Sequence, residues 1–84
     1  MRQTTVEVDF EDAAASVLVV EAIAEATDAD PAELDAPLGE VVDPYALDAL
    51  FEHDSFCGAL TFRYGPHEVT VERTEPANGR VTVR

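Results

Sequence analysis

The run Gly58-Ala59-Leu60-Thr61-Phe62-Arg63-Tyr64, followed by Gly65-Pro66-His67 and then Glu68-Val69-Thr70-Val71-Glu72, decides the fold. Leu60, Phe62 and Tyr64 alternate with Thr61 and Arg63, and Val69 and Val71 alternate with Glu68, Thr70 and Glu72. A period of two puts the apolar set on one face of a strand and the polar set on the other. Gly65-Pro66-His67 is a tight turn, and Glu75-Pro76-Ala77-Asn78-Gly79 is a second one, after which Val81 and Val83 alternate with Arg80, Thr82 and Arg84. Three short strands joined by short loops predict an antiparallel meander with one buried and one wet face. The wet face mixes Arg63, Arg80 and Arg84 with Glu68 and Glu72. Cross-strand pairs of that kind contribute a few tenths to ~1 kcal/mol each at low salt, and less in molar salt.

Upstream the period lengthens. Asp43-Pro44 is an N-cap followed by proline at the first helical position, and Leu47, Leu50 and Phe51 then form an i, i+3, i+4 apolar face with Asp48 and Glu52 outward. His53 falls at the end of this helix, where an imidazolium suits the negative pole. Asp30-Pro31-Ala32-Glu33-Leu34 repeats the start signal for a single turn, ended by Pro37, with Leu38 tucked under the next helix. Residues 13–26 contain neither Gly nor Pro. Asp12 is their expected N-cap, Val17, Val20, Ile23 and Ala24 the expected buried stripe, and Glu21, Glu25 and Asp28 the opposite side. Before them Val6, Val8 and Phe10 alternate with Glu7 and Asp9, a first strand whose place in the sheet the pattern leaves open. The whole predicts an α+β domain, β-α-α-β-β-β, with two helices on one face of a small antiparallel sheet. Residues 1–84 form one domain by length, without repeat, linker or low-complexity tract.

Charge narrows the function. The chain has 18 Asp and Glu against 5 Arg and no Lys, a net charge of −13, with residues 1–43 holding 12 acids and only Arg2. Such a surface repels nucleic acid and anionic membranes, so neither is an expected direct partner. No stretch reaches the ~20 apolar residues of a membrane span, and Met1-Arg2-Gln3 leads into polar sequence rather than a signal peptide. With one cysteine, Cys57, no internal disulfide is available, and the expected compartment is the cytoplasm. At ~1 M salt the Debye length is about 3 Å against about 8 Å at ~0.15 M, so thirteen excess charges and no lysine predict a protein built for molar salt.

Chemical centres are sparse. His53 and Cys57, four apart beside Asp54 and Ser55, can be drawn as a nucleophile pair, but Cys57 between Phe56 and Gly58 reads better as a small buried hydrophobe at a strand start. His67 reads as an exposed turn residue. Two histidines and one cysteine match no zinc spacing, Asp28-Ala29-Asp30-Pro31 lacks the glycine and distal glutamate of a calcium loop, and no Gly-rich phosphate loop is present. The expected catalytic, cofactor and metal residues are none, and the chain is expected not to be an enzyme.

A set of short motifs goes further. Ser16-Val17 and Val20-Glu21-Ala22-Ile23-Ala24 come first, then Asp30-Pro31-Ala32-Glu33-Leu34 with Pro37-Leu38. Val42-Asp43-Pro44 follows with Ala46-Leu47-Asp48-Ala49-Leu50-Phe51, and Gly58-Ala59-Leu60-Thr61-Phe62-Arg63-Tyr64 and Val69-Thr70-Val71 complete the order. In that order and spacing, over residues 16–84, the chain resembles the haloarchaeal output domain of type one. The resemblance implies a small output module of haloarchaeal signal transduction, found alone or behind phosphoacceptor receiver domains, with no catalytic residue to carry over. Residues 4–10 depart from the pattern as an extra strand, and no receiver is expected in a chain this short.

The resulting expectation is a stand-alone, non-enzymatic interaction module that meets a protein partner or its own copy. The alternative is a small-molecule sensor with a pocket between helices and sheet, for which a cavity lined by Tyr45, Phe51 and Phe62 would speak. The core should be filled by Val17, Val20, Ile23, Leu47, Leu50, Phe51, Leu60, Phe62, Val69, Val71, Val81 and Val83. Leu18 on the helix flank, Tyr45 at the second helix start and Phe56 in the loop are left as the candidate interaction surface. A sheet edge offers a second route, with the terminal strand ending in Arg84 the expected edge.

Overall fold

In a computed structural model that describes residues 3–34, 36–53, 56–75 and 77–84, the alternating runs form the strands they predict. The elements are β1 (Thr4–Asp9), α1 (Ala15–Thr27), two 3-10 turns (Pro31–Glu33 and Leu38–Glu40), α2 (Pro44–Glu52), β2 (Gly58–Tyr64), β3 (His67–Arg73) and β4 (Asn78–Val83). The sheet is antiparallel throughout, in the order β1-β4-β3-β2. β1 therefore closes the sheet beside β4, which answers what the pattern left open. It also corrects one expectation: the strand before Arg84 lies inside the sheet, and the free edges belong to β1 and β2.

The register sets both faces. Val81, Val83, Val69 and Val71 point inward and are buried, flanked by half-buried Val6 and Val8 on β1 and Leu60 and Phe62 on β2. On the outer face Thr5, Thr82, Thr70 and Thr61 stand in one cross-strand row, with hydroxyl contacts Thr5–Thr82 at 3.5 Å and Thr61–Thr70 at 3.0 Å. The expected charge pairs flank that row, Arg80 with Glu72 at 3.4 Å and Arg84 with Glu68 at 3.1 Å.

α1 lies over β4 and β1. Its buried side is Ala15, Leu18, Val19, Ala22, Ile23 and Ala24; of the expected stripe Ile23 and Ala24 are buried and Val20 is half-buried against the core, but Val17 is turned out. Val17 is 46% exposed and Leu18 only 9%. The run Val17-Leu18-Val19-Val20 is apolar in every phase, so its periodicity selects no face. The choice is made by Val19 and Ile23, both fully buried, and by small Ala15 and Ala22, which let the helix approach the sheet closely. The helix start also differs. Its N-cap is Ala14, without a side-chain cap, and the Ser16 N–H donates instead to Asp48 Oδ1 of α2 at 2.7 Å. Asp48 is accordingly half-buried rather than outward.

α2 starts as its sequence says, with Pro44 at the first position and the Asp43 carboxylate accepting the Tyr45 N–H at 2.9 Å. Leu47 and Phe51 are buried and Leu50 half-buried. Asp30 caps the first 3-10 turn through the Ala32 N–H at 2.9 Å, and Leu38 is buried as expected. Tyr64 ties this connection to the sheet: its hydroxyl donates to the Ala36 carbonyl and accepts the Ala36 N–H. At the far end of α2, buried Arg73 donates from Nη1 to the carbonyls of Phe51 and His53, both at 2.7 Å.

Candidate interaction surface

Three helix starts converge beside α1. Pro31, Leu38 and Pro44, each the first residue of its turn or helix, face Ser16, Val17, Val20 and Glu21 across a groove of ≈ 340 Å³. Two of the three are Asp-Pro starts, at which Asp30 or Asp43 accepts first-turn N–H and the proline lines the groove, while the turn at Leu38 begins after Pro37 without a side-chain cap. The lining is almost wholly apolar, and the groove is open to solvent. Val41 and Tyr45 lie beside it, and Tyr45 is 85% exposed. Val17, Val41 and Tyr45 are the large hydrophobic side chains most exposed among the described residues. Acidic side chains border the patch, Glu21 at the groove and Glu40 and Asp43 near Tyr45.

Of the three residues expected to form an interaction surface, only Tyr45 reaches solvent in full. Leu18 is turned into the fold by the rotation of α1, and Val17 stands outside in its place. Phe56 is half-buried and meets Phe51 edge-on, with ring centroids 5.1 Å apart, while Phe51 stacks on Phe10 at 5.1 Å. Phe56 is thus part of the aromatic end of the core, because the chain leaving α2 folds back over Phe51. No sequence signal marks Val17 as the exposed member of Val17-Leu18-Val19-Val20, since all four are apolar and the Asp48 partner of Ser16 lies on another helix.

The chemical candidates each have a separate contact of their own. His53 is exposed at the C-cap of α2, and its N–H donates to the Leu50 carbonyl. Cys57 is exposed rather than buried, since it precedes an edge strand whose alternation turns it outward, and its thiol is directed at the Thr74 carbonyl, 3.8 Å away. Asp54 and Ser55, named beside this pair, and Pro76 of the second turn lie outside the described residues. His67 is half-buried, with Nδ1 3.2 Å from the Arg84 carbonyl oxygen. Tyr45 lies open on the surface, so it does not join Phe51 and Phe62 around a cavity. Among the described residues no group of three or more His, Cys, Asp or Glu is placed to hold a metal ion, and no helix is long and apolar enough to cross a membrane.

A small antiparallel sheet backed by two helices, with an open apolar groove beside α1, defines a compact α+β module. Over residues 11–84 the chain matches the model of Halobacterial output domain 1, and it belongs to that family. The match begins earlier than the resemblance read from the motifs, and β1 precedes it. No curated protein and no solved structure matches the chain. Membership makes it a signalling output module of halobacterial type, in keeping with a lysine-free chain of net charge −13.

Proposed function

We propose that this output module is non-enzymatic and acts by protein contact through the groove between α1 and the turns at Pro31, Leu38 and Pro44. The observation that carries this reading is the exposure of Val17 in an apolar groove, with exposed Tyr45 on the adjoining surface beyond Pro44. Apolar association keeps its strength in molar salt, where ionic attraction is screened. The acidic border of Glu21, Glu40 and Asp43 selects the occupant: a partner segment that inserts an apolar side chain and flanks it with basic or neutral residues.

The sensor reading has one feature behind it. A more enclosed cleft of ≈ 220 Å³ lies among Thr27, Leu34, Ala36, Tyr64 and His67. The Tyr64 hydroxyl at its wall is already engaged with Ala36, and among the described residues no large hydrophobic side chain stands exposed at it. Protein contact is therefore preferred.

Co-purification from a halophilic lysate at ~2 M KCl tests the proposal. A partner retained by the unaltered chain should be lost with Val17→Asp and kept with Cys57→Ser. Retention that survives Val17→Asp but fails with Cys57→Ser overturns the contact reading and returns a chemical role to the thiol.

A further inference from the structure

We infer that the free edge of β2 pairs with the β2 edge of a second copy, joining two domains into one antiparallel eight-stranded sheet. The backbone itself gives the register. Glu68 and Arg84 exchange both of their N–H···O bonds, at 3.2 and 3.0 Å. The groups of β3 that face β4 are therefore those of residues 68, 70 and 72, and residues 67, 69, 71 and 73 face β2. Their partners Tyr64, Phe62, Leu60 and Gly58 use their N–H and C=O groups inward. Ala59, Thr61 and Arg63 are left with theirs directed at the open edge.

Thr61 is the midpoint of Gly58–Tyr64. A two-fold axis at Thr61 sets Thr61 against Thr61 and Ala59 against Arg63, and gives on the order of six backbone hydrogen bonds. On the inner face it places Leu60 of one copy opposite Phe62 of the other. These are the two half-buried apolar residues at the margin of the core, and the pairing would finish their burial. On the outer face the threonine row would run unbroken from one copy into the next.

Charge favours this edge and a second copy. Residues 55–67 are the longest stretch of the chain without an acid, and Arg63 is the one charged residue on β2. Two copies of net charge −13 meet there with the least repulsion. At the other free edge β1 carries Glu7 and Asp9, so its self-pairing would bring carboxylates together. β2 also lacks the usual edge defences, having no proline and no lysine over seven residues.

Sedimentation equilibrium of the unaltered chain at ~2 M KCl should give twice the 9.1 kDa chain mass. In a Cys57→Ser background, Thr61→Cys should be captured as a covalent dimer by mild oxidation or a short bismaleimide, because directly opposed residues have Cα atoms ~5.5 Å apart. Glu7→Cys in the same background should give no covalent dimer, because β1 lies at the other edge of the sheet. Ala59→Pro removes an N–H that β3 does not use and should abolish the dimer. A chain that remains monomeric at millimolar concentration, or one captured through Glu7→Cys as readily as through Thr61→Cys, overturns the inference. So does a dimer that persists unchanged in a folded Ala59→Pro variant.

Discussion

The carboxylate of Asp48 receives both the backbone N–H of Ser16, at 2.7 Å, and its hydroxyl, at 2.9 Å, so that one helix caps the other across 32 residues of chain. This contact stands in for the local cap that Ala14 does not provide, at the end of α1 where Val17 faces out and Leu18 faces in.

Asp48→Ala should therefore cost about 1 kcal/mol, the ordinary worth of an N-cap, and lower the melting temperature by ~4–8 °C for a domain this size. Ser16→Ala removes only the hydroxyl bond and should cost less. Circular dichroism melts at ~2 M KCl measure both. A silent Asp48→Ala would mean that α1 starts without help from α2.

Gly79 allows no side chain. A Cβ built there stands 2.0 Å from the Glu72 carbonyl oxygen and 2.7 Å from Phe10 Cε2, and the first of these is backbone that has no room to yield. Gly79→Ala should destabilise by about 3 kcal/mol or more, at the upper end of overpacking costs. Urea unfolding in molar KCl gives the value, and a change below ~1 kcal/mol would contradict the close approach.

The legible part of the fold is the part in which one period dominates. β2 and β3 alternate without ambiguity, and Asp-Pro announces α2 and the turn at Pro31. The rest depends on contacts between distant residues. Asp12 has the chemistry of an N-cap, but the partner of Ser16 lies on another helix. Cys57 next to Phe56 looks like core until β2 proves to be an edge. Arg73 shares the parity of Val69 and Val71, which was the available sign that it points inward. Of the candidate interaction surface, Tyr45 was visible from its place in the first turn of α2. Val17 was not, because four consecutive apolar residues hide the helix phase.

Arg73 is the cation that the fold consumes. Its guanidinium meets two carbonyls at the negative end of α2 and lies 5.9 Å from the Phe10 ring centroid. Arg73→Ala should cost about 3 kcal/mol or more, since it leaves buried carbonyls unpaired and empties a packed volume. Arg73→Lys should recover part of this, because a single ammonium lacks the planar fork. Equal losses for Ala and Lys would assign the whole effect to geometry rather than charge.

Salt should govern stability. Lowering KCl from multimolar to ~0.1 M lengthens the Debye length from about 3 Å or less to about 10 Å and exposes the repulsion among 18 carboxylates. The melting transition should fall and broaden along a salt titration followed by circular dichroism. An unchanged, sharp transition at ~0.1 M would contradict the molar-salt reading.

The central claim is that output passes through a protein contact at the groove beside α1. Hydrogen–deuterium exchange of the domain at ~2 M KCl, alone and with its co-purified partner, tests it most directly. The account predicts added protection at residues 16–21 and 38–45, around Val17 and Tyr45. Protection confined to residues 53–57, around His53 and Cys57, with the groove unchanged, would contradict it.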